Sequence, residues 1–409
     1  MEAMALRIFN TASSREERFE PVSKEGINIY TCGPTTYDYA HVGHARTYLI
    51  YDVMKRYLVH LGYTVRHVQN FTDMDEKILR RSIELDMDPF DLSSKFIAEF
   101  LKDMDFLGLQ RADVYPRTTE HIHDCIQLAQ DLIKKGVAYE ADGDVYFDAS
   151  KTRAFGRLIH EDLKDVVADP MDKDRKVNPR KKGLLDFAIW KRSKEWEVSW
   201  ESPWGRGRPG WHTECAIMSH KYLGSVVDIH GGGVDLIFPH HESEYVLSEA
   251  LTGRSSVRYW VHNNFVTSEG QKMSKSKGNM VTARKAIETV GPDALRYYLL
   301  STHYRKKMDF TLEGLDLARD NLLEIQSVLA RGLAMKRAGC KEATRKALDT
   351  CIGHFFRAMD SDFDTSKAIL AIIELASLLE RRRVADKDKV RVKKAVLDFQ
   401  LILGLSLGL

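Results

Sequence analysis

The sequence is poor in the features that mark secreted and membrane proteins. Its 409 residues include only five cysteines, an odd number that is widely spread. Such a set predicts free thiols in a reducing cytoplasm rather than a disulfide framework. No apolar run reaches the roughly 18 residues of a membrane span, and Arg7, Arg15 and Arg18 interrupt any early apolar segment. We therefore expect a cytoplasmic protein without a membrane span or a secretory peptide.

The chain also lacks a strong charge of either sign. Lysine and arginine number 61 against 59 aspartate and glutamate residues, which leaves a net charge of +2. A charge near zero neither requires nor excludes a nucleic-acid partner. Basic residues are instead clustered in residues 173–194 and 381–394. Each cluster could neutralise an RNA backbone or simply form a solvated surface.

Hydrophobic patterns predict an α/β fold. Residues 27–32 and 64–70 have the pattern of buried strands, and a helix over 45–61 connects them, which gives a right-handed βαβ unit. Residues 211–266 supply further strands, helices and glycine turns. We expect a doubly wound parallel sheet of Rossmann type with an insertion, followed by a C-terminal α-helical bundle.

The pattern also predicts how the chain is divided. Helical periodicity in 312–338, 341–359, 365–383 and 387–403 predicts the bundle, with Asp364 or Thr365 as a helix cap. We expect the first half of the Rossmann-type domain in 1–110, a connective insertion in 111–205, the second half in 206–265, a connecting region in 266–310 and the bundle in 311–409.

A short histidine motif lies between the first predicted strand and helix. In HVGH (His41–His44) a helix N-terminus favours phosphate, and Gly43 lets a nucleotide approach the backbone closely. Both histidines can donate hydrogen bonds to phosphate oxygens. Taken alone, the motif could be an ordinary polar turn.

A lysine motif lies in the second half of the chain. KMSKS (Lys272–Ser276) places Lys272 and Lys275 three residues apart, between Gly270 and Gly278. The flanking glycines predict a mobile loop that closes two ammonium groups over the pyrophosphate part of a nucleotide. By itself the segment could equally be a solvated basic loop.

Four scattered residues could hold a metal ion. His240 and Glu244 are spaced i, i+4, so they share a face if Pro239 opens a helix. With the thiols of Cys32 and Cys215 they make a set suited to tetrahedral zinc. The scattered spacing does not require a site, because each cysteine could equally be a small buried residue.

A glycine triplet follows a predicted strand at 226–229. In a doubly wound sheet, nucleotides bind at the carboxyl ends of strands. Adenosine could pack on the backbone of Gly232 and Gly233, and Asp235 could accept hydrogen bonds from the ribose. The triplet could also be only a tight turn.

Together these segments resemble a known enzyme family. The order of HVGH and KMSKS resembles class I aminoacyl-tRNA synthetases, which make an aminoacyl-adenylate from ATP. CGP at Cys32, GWHTEC ending at Cys215, and FPHHESE ending at Glu244 are similar to cysteinyl-tRNA synthetases in particular. The resemblance implies activation of L-cysteine by ATP with Mg²⁺, followed by transfer to the 3′ end of tRNA(Cys).

The resemblance also implies a role for each matching residue. It assigns catalysis to His41, His44, Lys272 and Lys275; ATP binding to Gly43, Gly231, Gly233, Asp235 and Lys275; the cysteine pocket to Trp211 and His230; and one zinc to Cys32, Cys215, His240 and Glu244. Zinc binds a soft thiolate far better than a serine hydroxyl. This selectivity makes an editing domain unnecessary.

The resemblance has limits, and it leaves alternatives. Met74 and Glu76 stand where the family usually has Ile and Asp, which are mild changes. Typical bacterial members continue beyond the bundle into a small anticodon-binding domain, whereas this sequence ends at Leu409, so we expect anticodon substitutions to matter less here than in an enzyme with that domain. We also expect a monomer.

Two other functions fit parts of the pattern. The cysteine ligase of mycothiol biosynthesis resembles the same enzymes, lacks the anticodon domain and acts on an amino sugar. It also lacks the glutamate matching Glu244, so this residue favours the synthetase. A catalytically silent RNA-binding relative would lose a zinc ligand or a motif lysine, and none is lost.

Overall fold

The structure is a computed structural model that describes residues 5–160, 178–268, 270–273, 280–335, 342–381 and 384–409. The strands are β1 (Arg7–Asn10), β2 (Arg15–Arg18), β3 (Ile27–Thr31), β4 (Val65–Gln69), β5 (Ala138–Ala141), β6 (Asp144–Phe147), β7 (Phe187–Arg192), β8 (Gly207–Pro209), β9 (Val227–Gly233), β10 (Val257–Asn263), β11 (Val266–Ser268), β12 (Gln271–Lys272) and β13 (Met308–Phe310). The helices are α1 (Val42–His60), α2 (Glu76–Leu85), α3 (Pro89–Phe106), α4 (Ile122–Lys134), α5 (Trp211–Leu223), α6 (Glu242–Thr252), α7 (Ala283–Val290), α8 (Pro292–Leu300), α9 (Leu312–Ala334), α10 (Glu342–Asp360), α11 (Thr365–Arg381) and α12 (Asp386–Leu403).

A four-stranded parallel sheet is the centre of the fold. Its strand order is β10–β9–β3–β4. The chain runs from β3 through α1 to β4 on one side and from β9 through α6 to β10 on the other. The winding direction therefore reverses between β3 and β9, and in such sheets ligands bind in the crevice at the carboxyl ends of these strands. The predicted doubly wound parallel fold is confirmed.

Helix α1 lies in the interior of the molecule. Thirteen of its 19 residues are buried, as expected for a helix with apolar contacts on most sides. It begins at Val42, three residues before the predicted start, because the side chain of His41 caps its N-terminus. This start places the whole HVGH motif at the beginning of the helix.

The segment between the two halves of the sheet contains its own antiparallel sheet, in the order β5–β6–β7–β8. Helix α4 packs on this sheet, and Leu132, Val145, Ile189 and Trp190 belong to a buried cluster separate from the main core. A second core is consistent with an inserted module. The limits at 111 and 205 stay predictions.

Helices α9 to α12 form the C-terminal bundle that the sequence predicts. Helix α11 packs against both α9 and α10. Asp364 caps α11, since its Oδ1 accepts from the Lys367 amide at 3.0 Å. The bundle is continuous with the main core around α1. Within the described ranges, no helix combines the length and apolar content that a membrane crossing requires.

Candidate active site

Four side chains converge beside the carboxyl ends of β3 and β9. Cys32 follows β3, Cys215 lies in α5, His240 lies in the turn before α6, and Glu244 lies in the first turn of α6. Their potential ligand atoms all lie within 4.8 Å of one another. Cys32 Sγ is 3.6 Å from His240 Nε2 and 3.4 Å from Glu244 Oε1. The structure thus brings together the four residues singled out as zinc ligands.

The geometry and chemistry of this cluster fit zinc. Tetrahedral bonds of about 2.3 Å to sulfur and about 2.0 Å to nitrogen place those two ligand atoms about 3.5 Å apart, which is close to the 3.6 Å between Cys32 Sγ and His240 Nε2. Each of the four residues is at most 4% exposed. Two sulfurs, one imidazole and one carboxylate also suit a borderline-soft ion.

Pro239 stands where helical backbone begins before α6. Phe238 is the residue of Ile237–His241 with extended φ/ψ, and helical φ/ψ continue from Pro239 through His241 into α6, which begins at Glu242. The i, i+4 spacing brings His240 Nε2 to 2.9 Å from Glu244 Oε1. The pairing expected if Pro239 opens a helix is therefore present.

A second set of ligands overlaps the first. Cys32, His230, His241 and Glu244 also have ligand atoms within 4.8 Å of one another. His241 Nε2 is 3.2 Å from Cys32 Sγ, while its Nδ1 is 2.7 Å from His262 Nε2. Sequence reasoning missed His241, because its i, i+3 relation to Glu244 is less conspicuous than that of its neighbour.

The surroundings of the cluster favour a negative sulfur at Cys215. Burial raises the pKa of both thiols, and at Cys32 it dominates. At Cys215 the hydrogen bond from Cys32 and the charge of His240 outweigh burial and lower the pKa to about 7. Burial lowers the pKa of His240, but the Glu244 carboxylate reverses this effect and raises it to about 10. Metal binding needs deprotonated thiols. The lowered pKa of Cys215 therefore favours metal binding at this sulfur.

A cavity of about 300 Å³ opens from the cluster towards the HVGH motif. One wall is the start of α1, another is the turn after β9, and a third is the segment 263–266 that follows β10. Its lining includes Cys32, Thr35, His41, Gly43, His44, Lys77, Trp211, Gly233, Asp235, Asn263, Asn264, Phe265 and Met273. One candidate metal ligand, Cys32, and the candidate phosphate-binding residues therefore line the same cavity.

The two motif histidines bond to each other's backbone. His41 Nδ1 accepts from the His44 amide at 3.3 Å, and His44 Nδ1 accepts from the His41 amide at 3.4 Å. Each ring therefore carries its proton on Nε2. The rings stack with centroids 3.8 Å apart. A Cβ on Gly43 would lie 2.8 Å from the His41 ring, so this stack requires glycine.

His44 acts as a neutral donor. Burial, with smaller contributions from His41 and Lys77, holds its pKa well below the usual value. At neutral pH this ring offers an N–H group but no positive charge. A cation on this side of the cavity comes from Lys77, a lining residue that sequence reasoning missed. A lysine in the first turn of a surface helix carries no distinguishing signal.

The glycine triplet serves two purposes. Gly233 and Asp235 line the cavity, as expected for the adenosine side. Gly231 lies instead against helix α1, because a Cβ there would be 2.0 Å from the Tyr51 hydroxyl. Its role as an adenosine contact therefore has no direct support in the geometry.

The residues expected around the cysteine substrate lie beside the cluster. The ring of Trp211 packs against that of His240, with centroids 4.2 Å apart and an angle of 30° between the ring planes. His230 is buried, and its Nε2 is 3.3 Å from Glu244 Oε2. Sequence reasoning missed His212, whose Nδ1 is 3.0 Å from His240 Nδ1. Metal-binding histidines usually use their second nitrogen in such a contact.

Part of the KMSKS segment is described. Lys272 is the last residue of β12, which pairs with β11, and Met273 lines the cavity. Lys275 lies outside the described residues. The described part of the motif therefore ends at the cavity.

Comparisons with known proteins give the family. Residues 18–320 match the family of tRNA synthetases class I (C) catalytic domain. The chain is 45% identical to Cysteine--tRNA ligase of Thermococcus onnurineus over an alignment covering 99% of this chain and 87% of that protein. The identity to Cysteine--tRNA ligase of Pelotomaculum thermopropionicum is 46%, over 91% of this chain and 77% of that protein. The chain belongs to the cysteine--tRNA ligase family of class I tRNA synthetases.

Solved structures of class I tRNA synthetases share the fold. Mycobacterium tuberculosis methionyl-tRNA synthetase in complex with methionyl-adenylate has a TM-score of 0.73 at 18% identity, covering 94% of this chain and 92% of that chain. A ternary complex of Agrobacterium radiobacter LeuRS has a TM-score of 0.65 at 14% identity, covering 94% and 83%. The cysteine--tRNA ligase family thus has the same overall architecture as these enzymes.

Proposed function

We propose that this chain activates L-cysteine with ATP and transfers the cysteinyl group to the 3′ end of tRNA(Cys). The observation that carries the proposal is that two thiols, an imidazole and a carboxylate converge in one cluster, and that Cys32 of this cluster lines the same cavity as HVGH. The relatives named Cysteine--tRNA ligase support the same reaction. We further propose a monomer that works in the cytoplasm, where tRNA is charged.

Recognition of the amino acid begins at the buried cluster. When held by Cys32, Cys215, His240 and Glu244, zinc supplies a Lewis-acidic contact that prefers the thiolate of cysteine to the hydroxyl of serine. Trp211 and His230 would enclose the rest of the small side chain. The short distance from the cluster to the cavity then directs the cysteine carboxylate towards the nucleotide.

The adenylation step proceeds by displacement at the α-phosphorus. A cysteine carboxylate oxygen forms a bond to that phosphorus, and the bond to the bridging oxygen of pyrophosphate breaks with its electron pair. His41 and His44 would donate from Nε2 to the phosphate oxygens where negative charge accumulates. Lys272 and Lys275 would hold the pyrophosphate, which Mg²⁺ accompanies.

The nucleoside would lie along the turn after β9. Gly233 and Gly43 leave room for the nucleotide, and Asp235 would accept hydrogen bonds from the ribose. We place Gly231 behind this surface, where it lets β9 approach Tyr51 of helix α1. Of the three residues on this turn that the resemblance assigns to ATP, Gly233 and Asp235 would contact the nucleoside directly. Gly231 would only support the turn.

The acceptor end of the tRNA would approach through the inserted module. A broad cavity of about 960 Å³ lies there and shares Trp211 with the active-site cavity. Lys181 and Lys191 line it, and Lys182 lies over the ring of Tyr139. Cations beside aromatic rings suit single-stranded nucleic acid.

The choice of acceptor tests the proposal. Wild-type enzyme should catalyse ATP–pyrophosphate exchange with cysteine and much less with serine, and should then charge tRNA(Cys) but not an amino sugar. Exchange with transfer only to the amino sugar would contradict tRNA charging and favour the small-amine ligase. Absence of cysteine-dependent exchange would contradict cysteine activation itself.

A further inference from the structure

Arg46 is a buried cation with an unusual set of partners. It lies in α1, two residues after His44, and is 0% exposed. Its Nη1 donates to the carbonyls of Asn264 and Phe265, each at 3.1 Å. Its Nη2 donates to the carbonyls of His303 at 3.1 Å and Lys306 at 2.9 Å. Within the described residues no carboxylate pairs with it.

The four carbonyls belong to two separate segments. Asn264 and Phe265 follow β10 and line the active-site cavity. His303 and Lys306 belong to the turn after α8, which also supports the first segment, because the Tyr304 carbonyl accepts from the Asn264 amide at 2.8 Å. Arg46 therefore joins the start of α1 to the opposite wall of the cavity through one guanidinium group.

Keeping this charge buried is costly. A buried ion without an opposite charge loses hydration that carbonyl dipoles only partly replace. Burial accordingly lowers the pKa of Arg46 to about 10, and its Nε has no hydrogen-bond partner among the described residues. By contrast, buried Arg296 pairs with Asp52 at 2.7 Å.

The planar shape of the group explains why arginine stands here. A guanidinium presents donors in a fixed fork and can span two segments, whereas an ammonium is a compact charge on a flexible stem. Thr47 adds only one further link to this wall, accepting from Asn263 Nδ2 at 3.0 Å. Arg46 thus provides four of the hydrogen bonds that set the separation of the two walls.

We propose that Arg46 is a positioning residue for adenylate formation. It fixes the distance between the histidines of HVGH and the wall at Asn264 and Phe265, so that bound nucleotide is held in the reactive position. The inference rests on the proposed use of this cavity for ATP. It assigns Arg46 no contact with the substrate.

The test compares Arg46→Lys and Arg46→Met with Arg296→Lys in the full chain. Arg296 is 1% exposed, so Arg296→Lys controls for the general loss of a buried guanidinium. Each variant is assayed well below its own Tm. We expect kcat of cysteine-dependent exchange to fall about 10- to 100-fold in Arg46→Lys, since small displacements are costly to catalysis, and KM for ATP to rise. Zinc content and KM for cysteine should stay unchanged.

Arg296→Lys should lower Tm but leave kcat and KM for ATP close to wild type. If Arg46→Lys lowers Tm with the same near-wild-type kinetics, its role is only structural and the inference is overturned. If Arg46→Met does not fold, the kinetics and Tm of Arg46→Lys alone test the inference.

Direct ATP binding separates this inference from the proposed function. If wild type showed no cysteine-dependent exchange, the proposed function would fail. Calorimetric titration with ATP would still test whether Arg46 positions the nucleotide. Weaker binding by Arg46→Lys than by Arg296→Lys supports positioning, and equal binding by the two overturns it.

Discussion

At the residue scale, the active site depends on hydrogen bonds that fix the direction of each ring. The Nδ1 atoms of His41 and His44 each accept a hydrogen bond from the other residue's backbone amide. The Nε2–H groups are therefore left as the donors for a ligand. Because His44 is neutral, its contribution is directional rather than ionic. Positive charge must come from lysines.

Removing one of these donors should slow the reaction more than it weakens ATP binding. In His44→Ala and in Lys275→Ala we expect adenylate formation to slow about 10²- to 10³-fold, because groups aimed at developing charge act mainly on the transition state. Single-turnover rates and the Kd for ATP measure the two effects separately. A loss of ATP affinity at an unchanged rate would show that the contact acts in the ground state.

His212 should influence zinc without binding it. Its contact with His240 Nδ1 orients that ring, and losing such a contact usually costs about 10- to 100-fold in metal affinity. Competition with a chromogenic chelator should show this loss in His212→Ala. The control is His220→Ala, an exposed histidine on the same helix α5, which should bind zinc like wild type. Equal affinity in the two variants would mean that His240 is held by other contacts.

At the scale of helices and strands, the sequence predicted those elements whose buried residues recur at a regular spacing. Strands β3 and β4 and the bundle helices follow from apolar spacing, and their observed limits differ by only a few residues. The kink at Phe238 before α6 has no such signal. Sequence alone also could not separate Gly233, at the cavity, from Gly231, under Tyr51, because the difference depends on which tertiary neighbour lies against each glycine.

The connection between α10 and α11 should be a major source of stability. Asp362 is 1% exposed and accepts from the Phe9 amide, the Tyr304 hydroxyl and Arg305 Nε. Asp362→Ala should lower the free energy of unfolding by about 3 kcal/mol, because it leaves buried donors without an acceptor.

Glu16 provides the matched control, since it pairs with the same Arg305 at 3.1 Å from a partly exposed position. Glu16→Ala should cost less than about 1 kcal/mol. Urea unfolding measures both variants. Equal small losses would mean that Asp362 does not fasten the bundle to the N-terminal strands.

At the scale of the whole molecule, we expect local charge rather than net charge to guide RNA to the site. The basic cluster at 173–194 is only partly available for this purpose. Arg180 pairs with Asp142 and Asp144, and Arg192 pairs with Asp142. Residues 173–177 of that cluster, as well as Arg382 and Arg383 of the second cluster, lie outside the described residues.

Substituting Lys181, Lys182 and Lys191 together with alanine should raise KM for tRNA while leaving cysteine-dependent ATP–pyrophosphate exchange unchanged. Wild-type charging should fall steeply with added salt, and the variant should show a smaller slope, because each lost phosphate contact reduces counterion release. Substituting Arg180 alone should instead lower stability. An unchanged KM and salt slope in the triple variant would place the RNA on another surface.

We propose that a zinc ion held by Cys32, Cys215, His240 and Glu244 selects cysteine for activation. The most direct test is cysteine-dependent ATP–pyrophosphate exchange by wild type before chelation, after chelation and after zinc is restored, with metal analysis at each stage. We expect about one zinc per chain, loss of exchange with the metal and recovery with zinc, while Cys215→Ser folds but stays inactive throughout. Full activity of metal-free enzyme would show that zinc does not select cysteine.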